Sequence, residues 1–140
     1  MASSWGNILP NLRATLEAVD GVGVVETSPV NSQQWLDALI SDGRDTACHV
    51  SIEEAEASRY TSGEYNETAK VILTLVPRGQ EYTLEDLTTL RDGVISAMES
   101  DQTMGGYTTL VTWTGFRMLE ASEYVSPFQL TFDIEHEWEA

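Results

Sequence analysis

The sequence predicts an α+β domain: a mixed, mostly antiparallel sheet with helices packed on one face, in the order α-β-α-β-β-α-β-β. Three observations carry this expectation. Near the C-terminus, Phe128, Leu130, Phe132, Ile134, His136 and Trp138 share one parity, while Gln129, Thr131, Asp133, Glu135 and Glu137 share the other. Two stretches, 8–19 and 84–98, repeat apolar residues at helical spacing instead. Between them, 46–76 holds two alternating runs around a polar, acidic middle. One-sided alternation belongs to an antiparallel sheet with one face on a core. Amphipathic helices supply the cover for that face.

Each element has its own local reason. Ile8, Leu9, Leu12, Leu16 and Val19 form one stripe, so a helix is expected over about 4–19, ended by Asp20-Gly21. Val24 and Val25 suit a short strand over 23–27, which Pro29 ends. A short helix over 32–40 follows, capped by Asn31 or Ser32, with Trp35, Leu36, Leu39 and Ile40 on one face. Residues 46–52 alternate, Cys48, Val50 and Ile52 against Ala47, His49 and Ser51. Val71, Leu73 and Leu75 mark a second strand over 69–76. The two strands pair as a long hairpin whose polar arm, about 53–68, extends outward. Thr83 caps the next helix, with Glu85 and Asp86 favourably placed in its first turn. Leu84, Leu87, Leu90, Val94, Ile95 and Met98 form its expected buried stripe. Gly105-Gly106 leads into a strand over 107–113, Gly115 marks a bulge, and 116–119 continue the strand. The last strand is long enough to outrun its own sheet.

The chain has 140 residues, 41% of them hydrophobic, which fits one domain at 1–140 with a core that needs no metal or disulfide staple. Cys48 is the single cysteine, so an intrachain disulfide is excluded. Twenty-three Asp and Glu face seven Lys and Arg, for a net charge of −16. Such a surface is repelled by nucleic acid and by anionic membranes. No leader pattern and no apolar run of about 20 residues occurs, so a protein made in a cytoplasm and independent of membranes is expected. Six of the seven cations are Arg and one is Lys70. Scarce lysine beside so many carboxylates fits two origins, a salt-loving host whose electrolyte screens the repulsion, or an acidic protein of an ordinary cell.

Candidate chemistry is sparse. Cys48 and His49 are sequence neighbours, but strand neighbours point to opposite faces, which prevents a thiolate–imidazole pair. His49 and His136 are too isolated for a metal site, and Glu53, Glu54 and Glu56 lack the loop spacing of a calcium site. No glycine-rich phosphate loop is present. No catalytic residue, metal or cofactor is therefore expected, and the chain reads as a non-enzyme. The residues that stand out are Arg59, Tyr60 and Tyr65 in the polar arm and Trp138 near the C-terminus. Arg, Tyr and Trp are enriched at protein interfaces, so these four are candidate subunit or partner contacts.

The order of elements carries one further signal. A leading helix at 8–19 is followed by Gly21-Val22-Gly23-Val24-Val25, and then by the armed hairpin at 46–76. The helix at 84–98, the Gly105-Gly106 turn and the closing run Phe128-Gln129-Leu130-Thr131-Phe132-Asp133-Ile134-Glu135 complete the pattern. In this succession the chain resembles the tail terminator, or tail-completion, proteins of long-tailed viruses of bacteria and archaea. The resemblance covers most of the chain, is a pattern of elements rather than a signature motif, and transfers no catalytic or ligand residue. It implies a structural virion protein at the tail–neck junction, forming a ring, usually a hexamer, that ends tail-tube growth and joins tail to neck. Its implied partners are copies of itself, the tail tube protein and the neck or head–tail connector proteins. The genome would pass through the lumen without specific binding. Neck stoppers and connector adaptors share this profile. A small intracellular enzyme or ligand-binding domain is the reading from a different class, recognisable by converging polar groups in a pocket.

Overall fold

The computed structural model describes residues 5–27, 46–61, 63–77, 83–120 and 127–139. Along them run α1 (Trp5–Glu17), β1 (Val24–Glu26), β2 (Thr46–Thr61), β3 (Glu64–Pro77), α2 (Leu84–Ser100), β4 (Leu110–Met118) and β5 (Phe128–Glu139). The strands form one five-stranded sheet, ordered β1-β2-β3-β5-β4. β1 joins β2 in parallel, and the other pairings are antiparallel. The mixed, mostly antiparallel α+β architecture is thus the one the alternation and helical stripes predict. The helix expected at 32–40 lies outside the described residues.

Register explains the core. Cys48, Leu75 and Phe128 lie opposite one another across β2, β3 and β5, as do Val50, Leu73 and Leu130, then Ile52, Val71 and Phe132. All but Ile52 are buried, and α1 covers them with Ile8, Leu12 and Leu16 while α2 adds Leu87, Leu90, Val94 and Met98. Each fully buried Leu or Phe contributes roughly 1.5–3 kcal/mol of transfer free energy. Ile52, at the end of this stripe, is 42% exposed.

α2 starts as its sequence requires. The Thr83 hydroxyl accepts from the Asp86 N–H at 3.1 Å, and the Asp86 carboxylate accepts from the Thr83 N–H at 3.0 Å. This capping box satisfies two donors that the helix leaves orphaned. Leu84 departs from the expected stripe, because it is 68% exposed. It sits beside the solvent-facing cap, and cover begins only at Leu87.

The strand expected at 107–113 starts later, at Leu110. The Thr103 carbonyl accepts from the N–H groups of Gly106, Tyr107 and Thr108, which holds this segment in a turn. Gly105 and Gly106 have φ of +77° and +95°, and a Cβ on Gly105 would lie 3.1 Å from Asn11 Oδ1. The positive φ favours glycine at 105, and a Cβ there would also press on the Asn11 side chain. The bulge expected at Gly115 is present as a register shift between Trp113 and Gly115.

The region 53–68 is strand almost throughout. β2 pairs with β3 out to Thr61 and Glu64, with register shifts at Ile52/Glu54 and Arg59/Thr61. β5 does not outrun the sheet. It pairs with β3 all the way to Glu64 and Glu139, making the arm three-stranded. The distal half of β3 thereby finds backbone partners on both sides, which a two-stranded hairpin would leave to water.

Candidate assembly interface

Past Ile52 the two faces of the arm differ in chemistry. On the face shared with the helices, Ala57, Glu67 and His136 form one cross-strand row, and Arg59, Tyr65 and Trp138 form the next. Three of the four residues singled out from sequence are thus brought into a single row. Tyr60 follows Arg59 on β2, at the second register shift. For Tyr60 and Trp138 only the backbone position is described. Arg59 is exposed and Tyr65 half-buried.

The back face carries Glu54, Lys70 and Asp133 in one row, Glu56, Thr68 and Glu135 in the next, then Ser58, Asn66 and Glu137. Lys70 Nζ lies 3.6 Å from Glu53 Oε2, with both groups substantially exposed. An exposed pair of this kind contributes little, on the order of 0–1 kcal/mol. The shallow recess among Glu54, Glu56, Thr68, Lys70 and Asp133 has a volume near 210 Å³.

The base of the arm holds a buried polar contact that sequence reading missed. Glu67 Oε1 lies 2.8 Å from His136 Nε2 and accepts from the Trp5 indole N–H at 3.1 Å. The Trp5 and His136 rings meet edge to face, with centroids 5.3 Å apart. His136 is 2% exposed and the Glu67 side chain 19%. One carboxylate therefore ties the first turn of α1 to β3 and β5 together. A signal was present: Glu67 shares parity with Val71 and Leu73, and His136 with Phe132 and Ile134. Two polar residues on apolar parities of separate strands can satisfy each other if those strands are neighbours. Glu135 and Glu137 lie on the parity opposite to His136, and a partner of its ring comes from across the sheet.

The other candidates are placed as their strand positions require. Cys48 is fully buried in the core, and desolvation pushes its thiol up to about 12. A thiolate is thus disfavoured near neutral pH, which argues against nucleophilic use. His49 points to the opposite face. Among the described residues no group of three or more His, Cys, Asp or Glu is placed to hold a metal ion. None of the described helices is long and apolar enough to cross a membrane. A groove of about 320 Å³ lies between Val19, Asp20 and Gly21 and the α2 residues Asp86, Thr89, Leu90 and Gly93. Asp86 is already engaged in the capping box, so the groove does not gather a set of converging polar groups.

At the far edge of the sheet, α2 and the turn after it blunt β4. Glu99 Oε1 accepts from the Trp113 N–H at 3.1 Å, and Gln102 Oε1 from the Val111 N–H at 2.7 Å. These outward N–H groups would otherwise invite another strand. Arg91 lies over the Trp113 and Phe116 rings, 5.9 Å and 4.9 Å from their centroids.

With this geometry in view, the likeness to known structures becomes informative. No protein-family model matches the sequence, and no curated protein matches it. Among solved structures the chain is similar to a component of one described as the virion of a native gene transfer agent particle, at TM-score 0.60 and 14% identity. The match covers 93% of this chain and 91% of the other, so the two share a fold over nearly their whole lengths.

Proposed function

We propose that this chain is a structural, non-enzymatic virion protein that forms a ring, expected to be a hexamer, at the head-proximal end of a viral or virus-like tail. There it ends growth of the tail tube and joins the tail to the neck. The observation that carries this reading is the fold shared end to end with a gene transfer agent virion component. The succession of elements that resembles tail terminators supports the finer assignment. So does the arm, with Arg59, Tyr60, Tyr65 and Trp138 as its contacts to a neighbouring subunit or to the tube. In this role the chain works as a single terminator-like domain with a protruding arm. An acidic lumen repels the DNA backbone, so the genome slides through without being held.

The test is assembly. The purified chain, examined by native mass spectrometry and by electron microscopy with tail tubes of its own particle, is expected to form closed rings seated on one tube end. Rings that bind the head-side connector and ignore tubes would assign it instead to the neck, as a stopper or adaptor. A chain that stays monomeric with and without tubes would overturn the ring.

A further inference from the structure

We propose that the outer edge of β2, beyond the end of β1, is a strand-addition site for an extended, basic segment of another protein, with cations at every second residue. The site is complete within one copy of the chain, so it does not depend on the ring.

The backbone provides the template. β1 pairs with β2 only from Ala47 to His49, and among the described residues no other strand lies on that side. From Ile52 to Arg59 every residue of β2 is exposed, on both faces, whereas β3 is half-buried or buried in the same rows. Register shows which groups point outward. The Glu135 carbonyl accepts from the Thr109 N–H, just ahead of β4. Alternate residues of an antiparallel strand bond to opposite neighbours, so Ile134 and His136 bond to β3, at Ala69 and Glu67. Ala69 and Glu67 therefore turn away from β2. Ala55 and Ala57, which lie opposite them, turn their N–H and C=O groups away from β3. Such an edge invites another strand. At β4 the corresponding N–H groups are occupied by Glu99 and Gln102.

The side chains select the occupant. A strand added here would place alternate side chains on the back face, beside Glu54 and Glu56, and the others on the front, beside Ala55 and Ala57. Glu54 and Glu56 are exposed, and their rows continue through Lys70 and Thr68 to Asp133 and Glu135. Opposite charges stabilise cross-strand neighbours and like charges destabilise them, so this face favours cations at alternate positions. At the inner end, where β1 stops, Leu9, Thr27, Val50 and Ile52 line a groove of about 270 Å³ that suits an apolar anchor. Main-chain bonds would then supply affinity, with the carboxylates and the groove supplying specificity. A second copy of this chain fits poorly. Its two most closely spaced cations, Lys70 and Arg78, are eight residues apart.

The probe is a synthetic peptide alternating Lys with Val, added to the isotope-labelled full chain, with amide hydrogen exchange read by NMR. Ala55 and Ala57 should exchange freely in the chain alone. Their exchange should slow about tenfold at about 1 mM peptide, as a Kd of about 0.1 mM requires. N-methylation of one alternate set of peptide amides should abolish the protection, and methylation of the other set should leave it. The double variant Glu54→Gln/Glu56→Gln should bind severalfold more weakly, and a peptide with Glu in place of Lys should give no protection. No slowing at Ala55 and Ala57, or equal binding of both methylated peptides, would overturn strand addition. Protection already present in the dilute chain would show that the chain covers its own edge, and protection rising with protein concentration alone would assign the edge to a second copy. Either result overturns the basic partner. None of these readouts involves the ring, which stands or falls on its own test.

Discussion

Glu67 binds both the first turn of α1 and His136 of the arm, so its replacement should be felt at both. Glu67→Ala removes the acceptor of the Trp5 indole N–H and the partner of His136 Nε2. Hydrogen bonds to a charged group are worth roughly 1.5–3 kcal/mol each when well buried. His136 is 2% exposed, but the Glu67 carboxylate is 19% exposed and partly screened, so the sum is discounted. The expected loss is about 2–4 kcal/mol, a large share of the roughly 5–15 kcal/mol that holds a domain together. Glu67→Gln keeps an amide oxygen for the indole and should lose about half as much. Urea unfolding followed by fluorescence measures both, and a double-mutant cycle with Trp5→Phe isolates the indole bond. A coupling of about 1 kcal/mol is expected. Zero coupling, or a Gln variant as damaged as the Ala variant, would refute the account of Glu67 as a shared acceptor.

Other expectations follow from burial and charge. Phe132 is fully buried between Val71 and Trp113 in the sheet, and Phe132→Ala should lose about 3–5 kcal/mol by urea titration. Cys48 should resist a thiol reagent in the native state at pH 8 and react once unfolded. Because its folded pKa is raised from 9.0 to about 12, its contribution is intact below pH 9. Stability should then fall between pH 9 and about 12, by up to roughly 1.4 kcal/mol per pH unit, and Cys48→Ala should flatten that slope. Salt should raise both melting temperature and assembly, because the Debye length shrinks from about 30 Å at 0.01 M to about 3 Å at 1 M while a net charge of −16 repels itself. Flat or falling curves by light scattering and thermal melting would refute net repulsion as the limit on assembly.

Much of this architecture was legible because its period is strict. In β5, one face is buried from Phe128 to Ile134, so alternation alone marked which side chains face the core. The capping box at Thr83 and Asp86 and the bulge at Gly115 are local chemistry, readable within a few residues. What escaped was non-local. That β5 pairs with the whole arm depends on strand order, which pairs residues some seventy positions apart. Leu84 has the right spacing for burial, but spacing does not tell where the covering layer stops. The Trp5–Glu67–His136 contact joins three segments, and only Glu67 and His136 carried a parity signal. The row that Arg59, Tyr65 and Trp138 share could be seen only once β3 was known to lie between β2 and β5.

The charge distribution also narrows how such a chain can associate. With twenty-three carboxylates and seven cations, most random contacts between two copies bring like charges together. β4 offers no ready alternative, because Glu99 and Gln102 occupy its outward N–H groups at Trp113 and Val111. Strand addition there would have to displace two hydrogen bonds and bring another acidic chain beside Glu99. Association without a basic partner therefore has to keep most of these carboxylates away from one another. A contact between unlike surfaces of identical subunits propagates around a closed ring or along a filament. The tie between α1 and the arm bears on that choice. If the proposed ring forms through the arm, an arm held to α1 by Trp5, Glu67 and His136 would meet each neighbour at one angle, and a fixed rotation is what lets a ring close at one size.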